Sequence, residues 1–387
     1  MRSSKSQSRH LLLLGFTAIM GLLVSACASR PATSPEKADT SPISLVFMGD
    51  ATGPLTPYSS ASLQGAQMAV DEINKAGGVK GRQLVLKSFD EKNDPVEAVN
   101  IAKRVMDEAM AVIIGSGSSP ALAAAPTLDK AGVPFVVTVA SNPKLTESGY
   151  ANVLRLHLSD RDQVNKLMEY AVKEQKFTKI AILYDTSDLG VGGKQMAEAA
   201  LEKLGLKPVA VEGWKQTDAD FSSQILKVKE AGAQGVLLWG VLDGAARIAV
   251  QMRKLGLENV QVYGGGGFVS QKFIDLGGSA VEGVICTWAY LEPAQSRTAD
   301  FARNFEAKYN RKVDVFSAQG YDAVYLLKQG IEKAGGDLKN RAGLAKAVKE
   351  STFDGVIGQV KFEPSGHNIR EIYMATVKDA KFVLKQK

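Results

Sequence analysis

The chain has 387 residues, 47 of them lysine or arginine against 41 acidic, for a formal net charge of +6. Arg2, Lys5 and Arg9 all fall in the first ten positions, so the remainder carries 44 basic against 41 acidic residues, or +3, which excludes a nucleic-acid footprint. Two cysteines and three histidines, with no second His or Cys at ligand spacing, exclude a zinc-type centre.

The first 26 residues read as an export signal. A basic start precedes an apolar run over 11–24, which is shorter than the roughly 20 residues a membrane span needs. Val24-Ser25-Ala26-Cys27 then reads as a lipobox, with cleavage before Cys27 and diacylglycerol on its sulfur. Residues 27–42 are rich in Ser, Pro, Ala and Thr and predict a flexible tether carrying the lipidated Cys27. The expected location is extracytoplasmic, on the periplasmic side in a Gram-negative cell, held to the membrane through the lipid anchor only.

Residues 43–48 predict a strand, and 62–75 a helix that ends at Gly77-Gly78. A strand over 83–89 follows, then a helix over 94–107 with Pro95 in its first turn. Strands over 111–114 and 135–138 flank a helix over 121–130. The pattern breaks near Leu158 and restarts with strands over 180–184, 208–213, 235–238 and 260–263. Helices such as 192–204 and 220–231 lie between them. The central strands are continuous aliphatic runs, as in parallel sheets covered on both faces. The length suits two domains. The expected fold class is α/β, with two Rossmann-like lobes built on parallel-sheet cores.

Open α/β sheets bind ligands beyond the carboxyl ends of their strands. Six segments fall there: 50–58, 115–120 and 139–143 in the first half, 185–189, 239–243 and 264–268 in the second. Several combine hydroxyls, glycines and free N–H groups just before a helix, which suits a carboxylate or phosphate. Enzyme signals are missing. No Gly-x-Ser-x-Gly or Gly-x-x-x-x-Gly-Lys-Ser/Thr sequence occurs, and Gly264 to Gly267 do not match a dinucleotide fingerprint. Outside the signal, the histidines are His157 and His367, for which structural or surface roles are expected. Cys286 sits in an apolar run and is expected to be buried. The chain is therefore expected to be no enzyme and to need no cofactor.

Gly53-Pro54, Gly65-Ala66, Asp71-Glu72-Ile73-Asn74 and Gly77-Gly78-Val79-Lys80-Gly81 follow the first strand at a spacing that resembles one family. So do Asp90 to Pro95, Ile114-Gly115 with Ser118-Ser119, Pro126, Gly132-Val133-Pro134, Gly320-Tyr321-Asp322-Ala323 and Gly358 to Phe362 with Gly366. Together they resemble the type 1 periplasmic binding proteins of the branched-chain amino-acid (leucine/isoleucine/valine) class, over essentially the whole folded chain. The resemblance implies two lobes joined by a three-segment hinge that close on a small ligand. Lobe 1 would comprise 43–158 and 290–355, and lobe 2 would comprise 159–289 and 356–387. The implied role is the substrate-binding lipoprotein of an ABC importer. It would be a monomer, with a small-molecule ligand and the transporter's permease subunits as partners and no nucleic acid. A sensory or interaction lipoprotein on the same fold is the alternative.

By motif position, the ligand carboxylate falls to Ser118 or Ser119 and to Val139, Ala140 and Ser141, while Tyr58 and Tyr321 supply aromatic walls. The acid that would pair with a ligand ammonium is replaced by Gly266, and two lobe-2 tyrosines by Leu189 and Val241. Only Asp243 or Asp188 could then serve an ammonium, so an amine-free acid is expected to bind tighter than the amino acid of the same skeleton. The lobe-1 disulfide common in the family cannot form here, since Cys286 has no partner once Cys27 is lipidated.

Overall fold

The structure, a computed structural model, describes residues 40–288, 296–334 and 341–385. The expected signal peptide, Cys27 and most of the tether lie outside the described residues, as does the crossover expected near Tyr290.

Strand and helix alternate from β1 (Ile43–Gly49) through α1 (Thr56–Lys75), β2 (Leu84–Asp90), α2 (Pro95–Val105) and β3 (Ala111–Gly115). The series continues with α3 (Ser118–Lys130), β4 (Phe135–Val137), α4 (Lys144–Glu147) and β5 (Val153–Arg155). The strands form one parallel sheet in the order β2-β1-β3-β4-β5. β3 and β4 are buried throughout, and their alternate side chains feed two cores: Ile113 and Val136 on one face, Val112, Ile114, Phe135 and Val137 on the other. Burial on both faces is what their unbroken aliphatic sequence encodes. Asp94 caps α2 by accepting from Val96 and Glu97 N–H, with Pro95 next to it.

Lobe 2 repeats the plan. It runs through α5 (Asp160–Glu169), β6 (Ile180–Asp185), α6 (Asp188–Lys203), β7 (Val211–Trp214), α7 (Ser222–Glu230) and β8 (Gly235–Trp239). It ends with α8 (Leu242–Lys254), β9 (Gln261–Gly264), α9 (Gln271–Gly277) and β10 (Ile285–Trp288). Five parallel strands stand in the order β10-β9-β8-β6-β7.

The chain then returns to lobe 1 through α10 (Ser296–Tyr309), α11 (Val315–Lys333) and α12 (Arg341–Lys349). α11 packs along α1 at near backbone contact. A Cβ on Gly65 would lie 1.9 Å from the Ser317 carbonyl oxygen, and one on Gly320 would lie 1.9 Å from that of Ser62. A small antiparallel sheet follows, of β11 (Phe353–Gly355), β12 (Gly358–Phe362) and β13 (Asn368–Ile369). Last come β14 (Tyr373–Lys378) and β15 (Lys381–Leu384), which extend the lobe-2 sheet antiparallel beyond β10.

Two expectations shift. The change of lobe expected at residue 356 comes later, between β13 and β14. Phe353, Val356, Ile357, Val360 and Phe362 bury their side chains in the lobe-1 core, and Asp322 of α11 accepts from Val356 and Ile357 N–H, both at 2.9 Å. The helices also start earlier than expected: α1 at Thr56, α3 at Ser118 and α6 at Asp188. The first turn of a helix leaves its N–H groups without intrahelical acceptors, so proline and turn-forming residues fit there and hide the true start.

Candidate functional site

The carboxyl ends of both sheets face one cavity between the lobes. The space open to the centres of water-sized spheres is about 60 Å³.

On the lobe-1 side, Asp50 organises the loop after β1 by accepting from Gly53 N–H and from Leu55 N–H at 2.6 Å. This starts α1 at Thr56 and puts Tyr58 in its first turn, where the ring meets Phe316 of α11 at 4.8 Å between centroids. Ser118 opens α3, and its buried Oγ has no partner among the described residues. The adjacent N–H groups of the first turn add a positive dipole end. The loop Val139-Ala140-Ser141 is held from behind by buried Arg155, whose Nη1 donates to the carbonyls of Asn142 at 3.0 Å and Ser141 at 3.4 Å.

On the lobe-2 side, Asp185 at the end of β6 accepts from Ser187 N–H and from Val241 N–H, both at 2.9 Å, tying two loops together. Leu189 stands in the first turn of α6. Trp239 ends β8, nearly buried, with its ring against Gly193 and Gly265, where a Cβ would come within 2.0 and 3.0 Å. Gln163 of α5 accepts from Gly266 N–H at 2.8 Å and Thr287 Oγ1 at 2.6 Å. A Cβ on Gly266 would lie 3.3 Å from the Gln163 oxygen. Gln163 thus takes the room that a side chain at position 266 would need.

Of the residues expected at the site, Tyr58, Ser118, Val139, Ala140, Ser141, Leu189, Val241 and Gly266 line the cavity. Four expected residues do not. Ser119 Oγ instead accepts from Asp188 N–H at 3.4 Å, across the lobe boundary. Asp243 pairs with Lys272 at 2.8 Å and lines a neighbouring space, while Asp188 is exposed. Tyr321 turns into the lobe-1 core and donates to Glu72 at 2.6 Å. Phe316 takes its place at the cavity. Five residues turn a helix by about 140°, so the two rings cannot share a face.

Asp160 was missed altogether. It opens α5 at the break near Leu158, where Ser159-Asp160 is a helix-start signal that sequence reading could have used. Its carboxylate is fully buried in the cavity wall and has no hydrogen-bond partner among the described residues. Burial pushes the carboxyl up to about 7, opposed by the nearby Ser141 hydroxyl, Arg155 and the Trp239 indole. The indole and hydroxyl stop short of hydrogen-bonding geometry, and Trp239 Nε1 has no partner among the described residues. The cavity therefore holds an acid, supplied by a different element from the one expected.

A family model described as periplasmic binding protein matches residues 42–381. The chain is 30% identical over 330 residues to the leucine-, isoleucine-, valine-, threonine- and alanine-binding protein of Pseudomonas aeruginosa, covering 85% of this chain and 87% of that one. It is 29% identical over 326 residues to a Leu/Ile/Val-binding protein homolog of Brucella melitensis, covering 84% and 88%. The crystal structure of a leucine-binding protein from Thermotoga maritima superposes with a TM-score of 0.81 at 25% identity, over 89% of this chain and 98% of that one. A solute-binding protein of R. palustris in complex with benzoate shares the fold, with a TM-score of 0.80 at 20% identity over 89% and 95%. The family consists of extracytoplasmic solute-binding components of transporters. With two parallel-sheet lobes around one cavity and a match over nearly its whole folded length, the chain belongs to the periplasmic binding proteins, as a type 1 member of the branched-chain amino-acid transporter class.

Proposed function

We propose that the chain is the substrate-binding lipoprotein of an ABC importer and that it carries a small α-amino acid. The observation that carries the ligand class is Asp160, a buried carboxylate in the cavity wall with no hydrogen-bond partner among the described residues. A buried charge of this kind needs a counter-charge or a proton. Arg155 supplies part of the counter-charge from behind the loop, where its guanidinium is bonded to the Ser141 and Asn142 carbonyls, and a ligand ammonium supplies the rest. The ligand carboxylate then meets Ser118, Ser141 and the first turn of α3, and its body lies against Tyr58, Phe316, Leu189 and Val241. This reverses the expectation of an amine-free acid, whose premise was that no acid faced the ligand.

Calorimetry with valine and with 3-methylbutanoate, the same skeleton without the amine, tests it. Valine is expected to bind about 10- to 100-fold tighter, the value of one or two charge-assisted hydrogen bonds, and Asp160→Asn should erase the difference. Equal or tighter binding of 3-methylbutanoate overturns the amino-acid reading. The anchor is tested separately. Cys27→Ala should move the protein from the membrane fraction to the soluble one, and unchanged retention removes the lipid from the account. Among the described residues no helix is long and apolar enough to cross a membrane.

A further inference from the structure

His157 lines the cavity, and the fold fixes which of its nitrogens carries the proton. The ring is buried just beyond β5 and stacks on Phe316, with centroids 5.4 Å apart and planes at 23°. Burial pushes the imidazole down to about 3; Gln319 acts against this, and Arg370 and Arg155 reinforce it. The ring is therefore neutral, with one N–H and one bare nitrogen.

Nδ1 lies 3.0 Å from the side-chain amide of Gln319. That amide is held between two groups with no choice of role. The Thr138 carbonyl, which can only accept, is 2.6 Å from one end, and Arg370 Nη2, which can only donate, is 2.9 Å from the other. The Leu156 carbonyl also lies near the Arg370 end, but at 3.4 Å, so the two shorter contacts decide: the amide nitrogen faces Thr138 and its oxygen faces Arg370. The same orientation aims an amide N–H at His157 Nδ1. Nδ1 must then accept, and the proton resides on Nε2. Among the described residues Gln319 is the only hydrogen-bond partner of the ring. Nε2–H has no partner among the described residues, on a residue that lines the cavity.

We infer that His157 is a specificity-determining residue whose Nε2–H donates to an oxygen on the body of the ligand. The site then favours small carboxylates whose body bears a hydroxyl, carbonyl or second carboxyl group over isosteres with hydrocarbon at that point. The inference rests on the reading of the cavity as the ligand site. Gln319 and Arg370 are positioning residues that fix the tautomer. The physical basis is asymmetric. A site built to hydrogen-bond an oxygen leaves its donor unmatched when hydrocarbon takes that place, and rejects the isostere for that reason.

Two methyl/hydroxyl pairs test it by calorimetry on the full-length protein: valine with threonine, and 4-methylbenzoate with 4-hydroxybenzoate as the amine-free set. In whichever pair binds, the hydroxyl member is expected to bind about tenfold tighter or more. His157→Phe should bring the ratio to unity, and His157→Gln, which keeps a donor, should restore part of it. A ratio that survives His157→Phe, or a wild-type ratio near one, overturns the inference. Nitrogen-15 spectra of the unliganded protein should show Nε2 protonated and Nδ1 bare, with Gln319→Glu reversing the two. A protonated Nδ1 in the wild type also overturns it. Failure of all four compounds to bind overturns the reading of the cavity and the inference with it, an outcome distinct from a binding pair whose ratio ignores His157.

Discussion

Asp160 links the ligand to the pH dependence of the whole protein. A free aspartate titrates near about 3.9, whereas burial pushes Asp160 up to about 7. Between these values the folded protein holds a proton that the unfolded chain has lost. The stability that Asp160 contributes is thus complete below about pH 4 and is lost as pH rises toward 7. Glu91 adds to the same trend; burial first, then Asp50 and Asp90, push it up to about 8. In the unliganded protein Asp160→Asn should therefore raise the melting temperature at pH 8 by ~2 °C or more and leave it unchanged at pH 4. An ammonium ligand selects the ionised form, so amino-acid binding at pH 6 should release protons, read as a dependence of calorimetric heat on buffer ionisation enthalpy. Proton uptake would point to an amine-free acid. The lobe-1 hydroxyls and the Val139-Ala140-Ser141 loop were legible because their chemistry is local: small polar residues at strand ends. Asp160, His157 and Gln163 were not. They follow β5 where the chain passes between lobes, and only the opposing elements turn them into one wall. Phe316 and Tyr321 show the same limit, since sequence offers two aromatic rings on α11 and only the packing against α1 decides which faces inward.

The α1–α11 pair sets the rigidity of lobe 1. With no room for a methyl group at Gly65 or Gly320, the helices approach at backbone distance. Gly320→Ala must push them apart, at a cost of about 1–3 kcal/mol as in other overpacked sites. Gly267→Ala is the control, because a Cβ there meets nothing within 4 Å although the residue lines the cavity. Denaturant titration should move the midpoint for Gly320→Ala and leave it in place for Gly267→Ala. Equal effects would mean that the close crossing does not limit stability. The strands were readable from sequence because burial on both faces demands unbroken aliphatic runs. Helix starts were less so, because Thr56-Pro57, Ser118-Ser119-Pro120 and Asp188-Leu189-Gly190 carry loop chemistry inside first turns.

Beside the ligand cavity, bonds run directly from lobe 1 to α6. Asn142 Nδ2 donates to the Asp188 carbonyl at 2.8 Å, and Asp188 N–H reaches Ser119 Oγ. A side chain at Gly192 would strike Asn142, which explains a glycine at the docking point on α6. Asn142→Ala removes this latch without touching a cavity residue. Its expected effect is a faster off-rate with little change in on-rate, and a larger radius of gyration at saturating ligand in small-angle scattering. An unchanged off-rate would assign closure to the ligand alone. The two-lobe plan was legible from the break near Leu158 and the repeated strand–helix alternation. The third change of lobe was not, because residues 356–369 have short, turn-rich strands whose affiliation depends on burial against α11.

The order in which the chain visits its lobes also bears on when it can fold. Lobe 1 is complete only when α11 reaches α1, some 250 residues earlier in sequence, and lobe 2 only when β14 and β15 join β10 near the very end. Contacts of such separation form late, after long loops have closed. Neither lobe can therefore finish folding until its last helices or strands have left the ribosome. The topology itself therefore favours folding after synthesis over folding during it.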